Sequence, residues 1–291
     1  MTARQLSIPR PAFTSAITRD LAPSFAAAVS AHPGAASIDI RLAEEQHEAY
    51  NAAVRQFVPH VVVVDADAKH PDGNFVEDTC VAVLDVAVIS QPGHPSRRGE
   101  VASIRKAIES DIKEIKHVYQ MDGEAMLDGG DVLFTGAHLF IGLSNRTNPA
   151  GAAFLTEKVQ NHYPTLSCVT IDLRPQPTLH LKCVVTAPSH NLLIFSDDEP
   201  GRFTLSLLPA DVRAQYDVIM VPDQVAANVL SFPDGHGGLK GIVLQEGFPA
   251  SEAILEREVA KRFPGTAIVK LQMSEFIKAD GALTCCSLLF A

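Results

Sequence analysis

What most constrains this chain is a rhythm: two short apolar runs, a helical pattern, then another apolar run, repeated from end to end. In its first appearance, Leu42, Tyr50, Val54 and Phe57 fall on one face of a helix spanning Arg41–Phe57, leaving Glu44, Glu45 and Glu48 to solvent. Pro59 stops it, and Val61–Val64 reads as a buried strand. Phe75–Ile89 is strand-rich with a reversal at Asp85, and a helix follows over Gly99–Ile115 on a stripe of Val101, Ile104, Ile108, Ile112 and Ile115. Val118 begins another strand. The order recurs as a hairpin (Asp131–Thr135, His138–Gly142), a helix (Asn148–Tyr163) and a strand (Ser167–Ile171). Leu181–Ala187, Leu192–Phe195, Tyr216–Val221, Val225–Ser231 and Gly241–Gln245 supply further strands. Pro249–Phe263 is the last helix, before strands at Ala267–Lys270 and Ala282–Phe290. The period is near a fifth of the chain, which permits five stacked β-β-α-β units with no strict sequence repeat. Hairpins this frequent argue against a doubly wound dinucleotide fold, and Asp128-Gly129-Gly130-Asp131 is too acidic to cradle a pyrophosphate. No Gly/Ser-rich or Pro-rich linker divides the chain, so a single domain over residues 1–291 is expected.

Charge narrows the function. Lys and Arg number 24 against 34 Asp and Glu, a formal charge of -10, and the densest basic pair is Arg97-Arg98. A nucleic-acid groove needs a basic stripe, and a role on anionic membranes needs a basic face; neither is expected here. A small cationic substrate remains open. The five cysteines are odd in number and scattered, unlike a disulfide framework, and point to a reducing compartment. The opening segment lacks the compact basic region and apolar stretch of a secretory signal, and Phe25–Val29 is too short to span a bilayer. A cytoplasmic protein, monomer or homodimer, is expected.

Several residues could carry chemistry. Cys285-Cys286 follows the polar turn at Asp280-Gly281 and leads into Leu288-Leu289-Phe290, so one thiol can face a site while its neighbour faces the core. A free thiol is ionised to only about a few per cent at pH 7, so a nucleophile there needs a nearby cation or backbone donor. Two buried apolar cysteines are the plain alternative. His180, placed before Leu181-Lys182-Cys183, suits proton transfer; a structural histidine is the competing reading. No Cys/His spacing completes a zinc signature, although a thiolate and an imidazole brought together would ligate zinc. Asp72, Glu77 and Asp78 form an acidic region; on a strand, Glu77 and Asp78 would face opposite sides. Asp128 and Asp131 flank two glycines that permit close approach. Either cluster could grip a guanidinium, and ordinary acidic loops look the same in sequence. Arg97 and Arg146, each beside short polar residues, are candidates for a substrate carboxylate.

Taken together, these segments resemble the dimethylarginine dimethylaminohydrolase family of the guanidino-group-modifying superfamily. The matching stretches are Phe75–Asp78, Pro95–Arg98, Leu127–Gly136, Gly142–Asn148, Leu179–Lys182 and Leu283–Ser287, in family order. The resemblance implies a five-bladed α/β propeller (the pentein fold) with a central active site. It implies Cys285 as nucleophile, Cys286 as its non-catalytic neighbour, His180 as acid and base, and Asp128 as the residue orienting it. Asp72 and Asp78 match substrate-holding positions with Glu77 beside them in the pocket wall. Arg97 and Arg146 match carboxylate-binding positions, and Asp280 lies near the substrate's amino-acid end. The implied reaction is hydrolysis of asymmetric dimethylarginine and monomethylarginine to citrulline plus an alkylamine, with no cofactor and no metal. Relatives that deiminate unmethylated arginine carry an aspartate two residues after the histidine, where this chain has Lys182. An arginine deiminase and a non-catalytic binder of arginine derivatives are the alternatives. Relatives also carry a lid residue near the N-terminus, which Arg19–Ser30 does not identify by sequence.

Overall fold

A hairpin pairs two strands antiparallel, and a helix is the shortest way to return a third strand parallel to them. Five such units make up the computed structural model, which describes residues 10–291; the expectation about a secretory leader rests in part on residues 1–9, outside them. The first unit holds β1 (Ser15–Arg19), α1 (Ile40–Phe57) and β2 (His60–Val64). The second holds β3 (Cys80–Val83), β4 (Val86–Ile89), α2 (Val101–Asp111) and β5 (His117–Gln120). The third holds β6 (Val132–Phe134), β7 (His138–Leu143), α3 (Pro149–Gln160) and β8 (Ser167–Asp172). The fourth holds β9 (Val185–Ser189), β10 (Leu192–Ser196), α4 (Glu199–Ser206), α5 (Ala210–Arg213) and β11 (Asp217–Val221). The fifth holds β12 (Leu230–Pro233), β13 (Leu239–Gln245), α6 (Pro249–Arg262) and β14 (Ala267–Leu271). After α7 (Ser274–Ile277), β15 (Leu288–Phe290) returns to pair antiparallel with β1, Ala16 opposite Leu289, and completes the first sheet.

Every sheet thus has three strands, one antiparallel pair and one parallel pair. The short strands β3, β6, β9, β12 and β15 are the inner edges, with β15 beside β3, β6 beside β9 and β9 beside β12. This is the five-bladed propeller. Five apolar clusters pack it together; Ile17, Ile89, Ile104, Ile108 and Phe290 form one that joins the first two units. Local capping fits the helices: Asp39 accepts from the amides of Arg41 and Leu42 at the start of α1, and Asn148 accepts from Gly151 ahead of Pro149 in α3. No helix among the described residues is long and apolar enough to cross a membrane.

The differences from expectation are systematic. Strands predicted over Phe75–Ile89, Asp131–Thr135, Leu181–Ala187, Val225–Ser231 and Ala282–Phe290 each begin with a 3-10 turn before the true strand. The turns are Val76–Thr79, Gly129–Asp131, Leu181–Cys183, Val225–Ala227 and Thr284–Cys286. Glu77 and Asp78 therefore sit on a turn, not a strand. Leu42 is exposed rather than on the buried face of α1, and α2 stops at Asp111, where Ile112 becomes extended. Four of these strands and helices, β1, α4, α5 and α7, went unpredicted. α4 carries Pro200 and Gly201, both poor helix formers, but Asp198 caps it and Pro200 sits in its first turn. β1, Ser-Ala-Ile-Thr-Arg, is short and polar, yet wholly buried between β15 and β2.

Candidate active site

Asp78 and Cys285 sit on, and Asp128 and His180 immediately before, the 3-10 turns that lead into inner strands, while Asp72, Arg146 and Asp280 come from loops. A cavity of about 30 Å³ is lined by Asp72, Asp78, Arg97, Arg146, His180, Asp280 and Cys285, together with Val29. Cys285 is half-buried at this cavity, whereas Cys286 is fully buried in the core, its Sγ 3.7 Å from the Ala282 carbonyl. The alternation expected of adjacent cysteines is realised within a turn. All five cysteines are free.

His180 donates from Nε2 to Asp128 Oδ2 at 3.0 Å. Asp128 is itself pinned: Oδ1 accepts from Gly93 N at 2.8 Å, and its own amide donates to Thr147 Oγ1. The two glycines that follow earn their place by close approach. A Cβ on Gly129 would lie 1.9 Å from the Glu77 carbonyl oxygen, and one on Gly130 2.6 Å from His180 Nδ1. Asp131 does not reach the cavity. It accepts from Ser144 Oγ, Thr147 Oγ1 and the Leu181 amide, bracing the turn that carries His180.

Electrostatics follow from this crowding. Burial pulls His180 down, but Asp78, the bond to Asp128 and the charge of Asp131 outweigh it and push its pKa up to about 9. Burial pushes Asp78 up, yet His180, Arg97 and the Gly130 amide hold it at about 2. The Cys285 thiol is raised well above its ordinary value by burial, then by Glu77 and Asp78. These shifts favour a charged ring at His180 and a protonated thiol at Cys285 near neutral pH. Asp72 is raised by burial, eased by Arg97 and by the Val29 amide that donates to it at 3.0 Å.

The two arginines differ. Arg97 is committed: Nε and Nη2 bond Glu100, Nη1 bonds Asp78 Oδ2 at 2.5 Å, and Nη2 also reaches the carbonyls of Phe75 and Asp72. The expectation of a carboxylate binder thus meets a guanidinium that anchors Asp78. Arg146 is freer, with only a loose approach of 3.7 Å to Asp128. Glu77 also departs from expectation, because it does not line this cavity. It faces a second cavity of about 160 Å³ between the inner strands, where Oε1 pairs with Lys182 Nζ at 2.6 Å and Oε2 accepts from Thr284 Oγ1 at 2.8 Å. Lys182 accordingly turns away from the histidine it follows.

Two features escaped sequence reading. Val29 is the residue that the N-terminal segment places over the cavity; its amide donates to Asp72 and that of Ala31 to Asp280 Oδ2 at 2.6 Å. Asp280 holds a left-handed backbone, φ 56°, unusual for a non-glycine residue, and Gly281 follows it against the Phe75 ring. The Asp280-Gly281 dipeptide marked a turn in sequence but not which of its two residues takes the left-handed conformation. Asp78, Asp128 and His180 each bring a ligand atom within 4.8 Å of the others, a spacing open to a metal. Their partners in Arg97, Gly93, Gly130 and one another equally suit a charged relay.

Residues 35–200 match the family described as arginine deiminase. The chain belongs to the arginine deiminase family. It is 28% identical over 254 residues to the N(G),N(G)-dimethylarginine dimethylaminohydrolase of Pseudomonas aeruginosa, covering 87% of this chain and 90% of that one. To the enzyme of the same name from Streptomyces coelicolor it is 28% identical over 272 residues, 94% of this chain and 95% of the other. The crystal structure of the Pseudomonas aeruginosa enzyme, a cysteine-to-serine variant complexed with citrulline, superposes with a TM-score of 0.81 at 26% identity, covering 96% of this chain and all of that one. Membership in the arginine deiminase family bears out the resemblance seen in the ordered motifs, and the likeness extends well beyond residues 35–200.

Proposed function

We propose that the protein hydrolyses asymmetric dimethylarginine and monomethylarginine to citrulline plus dimethylamine or methylamine, through a covalent intermediate on Cys285. It is a hydrolase of a guanidino C–N bond, as its full-length relatives are named. The observation that carries the finer reading is the convergence, on one small cavity, of Cys285, His180, Asp72 and Asp78.

A guanidinium is a poor electrophile because its charge is delocalised. Asp78 has one protein partner on each oxygen, so each keeps capacity for a substrate N–H. Asp72 supplies the second carboxylate. Once the cation is bound, its charge offsets the field of Glu77 and Asp78 that keeps the Cys285 thiol protonated, and the thiol releases its proton to solvent. The thiolate attacks the guanidinium carbon. As the C–N bond to the alkylamine breaks, the imidazolium of His180 gives its proton to the departing nitrogen, leaving a thiouronium on Cys285 and a neutral imidazole. Water then attacks the same carbon and passes one proton to His180; the C–S bond breaks with its electron pair on sulfur, the remaining hydroxyl proton returns to Cys285, and the ureido group of citrulline is left. Asp128 keeps the ring aligned for both transfers. In this reading Arg146 receives the substrate carboxylate and Asp280 serves its amino-acid end, supported by both residues lining the cavity.

The competing activity is deimination of arginine. Against it, the position two residues after His180 is Lys182, paired with Glu77 outside the cavity, so no carboxylate from that position holds the guanidinium. The whole chain acts as one catalytic unit in this account, since these residues come from several modules, and five free thiols suit the cytoplasm. Parallel incubation with asymmetric dimethylarginine and with arginine, following citrulline and amines by mass spectrometry, tests the proposal. Citrulline with dimethylamine, lost at least about a thousandfold in Cys285→Ser, is expected. Faster ammonia release from arginine would make it a deiminase, and saturable binding with no citrulline would make it a binder.

A further inference from the structure

All five modules lead into their inner strand by a 3-10 turn. Four of these turns bear Asp78, Asp128, His180 and Cys285 at or beside the turn. The fifth, Val225–Ala227, ends at Asn228, which is almost wholly buried and lines neither cavity.

The orientation of the Asn228 amide is fixed by partners that have no choice. Its Oδ1 accepts from the Thr284 backbone N–H at 2.9 Å, and its Nδ2 donates to the Lys182 carbonyl at 3.0 Å. Flipping the amide would oppose two donors at one end and two acceptors at the other. Nδ2 donates a second time, to Thr284 Oγ1 at 3.1 Å. That hydroxyl donates to Glu77 Oε2, and Glu77 Oε1 takes Lys182 Nζ, so the bonds run in a closed ring through Asn228, Thr284, Glu77 and Lys182. Glu77 precedes Asp78, Thr284 precedes Cys285, and Lys182 is two residues beyond His180. Asn228 is held in turn from the fourth module. Thr186 Oγ1 donates to the Ala227 carbonyl and accepts from the Val229 amide, one on either side of it.

We infer that Asn228 is a positioning residue for the reaction: its side chain closes the ring that keeps the turns of Asp78, His180 and Cys285 in register. This rests on the proposed roles of those three residues. Aspartate at 228 could still accept from the Thr284 amide but could donate to neither partner, and glutamine is a methylene too long. A nucleophile displaced by about 1 Å loses on the order of a hundredfold in rate, so a clamp behind the reacting groups acts on turnover more than on binding.

The test compares Asn228→Ala, Thr284→Val and Thr284→Ser with the unaltered chain, measuring kcat, KM, thermal unfolding and the rate at which iodoacetamide alkylates Cys285 near pH 8, mapped by mass spectrometry. In Asn228→Ala, kcat falls about a hundredfold with KM within about threefold. Alkylation of Cys285 becomes faster, because the freed turn exposes the thiol. Thr284→Ser keeps the hydroxyl and behaves as the parent, whereas Thr284→Val follows Asn228→Ala. A folded Asn228→Ala with kcat and alkylation both within about threefold of the parent would overturn the inference. So would a fall of kcat and melting temperature together with a raised KM and unchanged alkylation, since that is general destabilisation. If Asn228→Ala does not fold, equal turnover in Thr284→Val and Thr284→Ser overturns it. Should the parent turn over no methylarginine, the proposed function fails, and the alkylation rates alone still decide for or against the clamp.

Discussion

His180 is the residue whose surroundings say most about its task. Its pKa stands at about 9, which suits the proposed role as an acid, since the ring is then charged near neutral pH. Because this lies above the ordinary imidazole value of about 6.5, the charged ring stabilises the fold fully below that pH, and the contribution is lost as pH rises through about 9. A titration of His180 followed by NMR in Cys285→Ser is expected to show a midpoint near 9, and kcat/KM should fall on the alkaline side with it. The arginines provide a second contrast. Arg97→Lys breaks a buried array with Asp78 and Glu100, and should cost on the order of 3 kcal/mol in denaturant unfolding. Arg146→Ala leaves the fold's stability within about 0.5 kcal/mol and raises KM about tenfold or more through loss of carboxylate binding. Equal effects of the two substitutions on KM and stability would remove the distinction. Which residues gather at the cavity was legible in the motif order, but the commitment of Arg97 was not, since nothing in Ser-Arg-Arg-Gly says which partners surround a guanidinium.

The four long helices α1, α2, α3 and α6 could be read from periodicity because each is long enough to show its repeat, whereas the short α4, α5 and α7 could not. Nor could the 3-10 turns. Val76, Leu181 and Cys286 are buried as strand residues would be, and three or four residues do not distinguish a turn from the strand it joins. Those are the segments that aim the reactive side chains, so local reading failed where function departs from regular structure. Two of these turns touch at Gly129, and Gly129→Ala tests their contact. Its methyl group would meet the Glu77 carbonyl, forcing apart the segments that carry Asp78 and Asp128. A loss of about 2 kcal/mol or more is expected in denaturant unfolding, with a lowered His180 titration midpoint as Asp78 recedes. An unchanged midpoint with full stability would show that the close approach is not needed.

The ring is closed by pairing the last strand with the first, and Cys285 lies just ahead of that closure. The five-unit rhythm was visible in sequence, yet the closure was not, because neither β1 nor the short β15 carries a pattern that names its partner. Leu289→Pro removes a backbone N–H from the closing strand opposite Ala16 and is expected to weaken the closure, read as a lowered melting temperature together with loss of turnover. Retained turnover would mean that the nucleophile turn does not depend on closure. The reaction itself is tested most directly by quenching the working protein in acid during turnover of asymmetric dimethylarginine and weighing its peptides. The expected result is a thiouronium-sized mass increment on the peptide containing Cys285, and none in Cys285→Ser. Steady turnover to citrulline with that peptide unmodified, or with the increment on another residue, would contradict attack by this thiol.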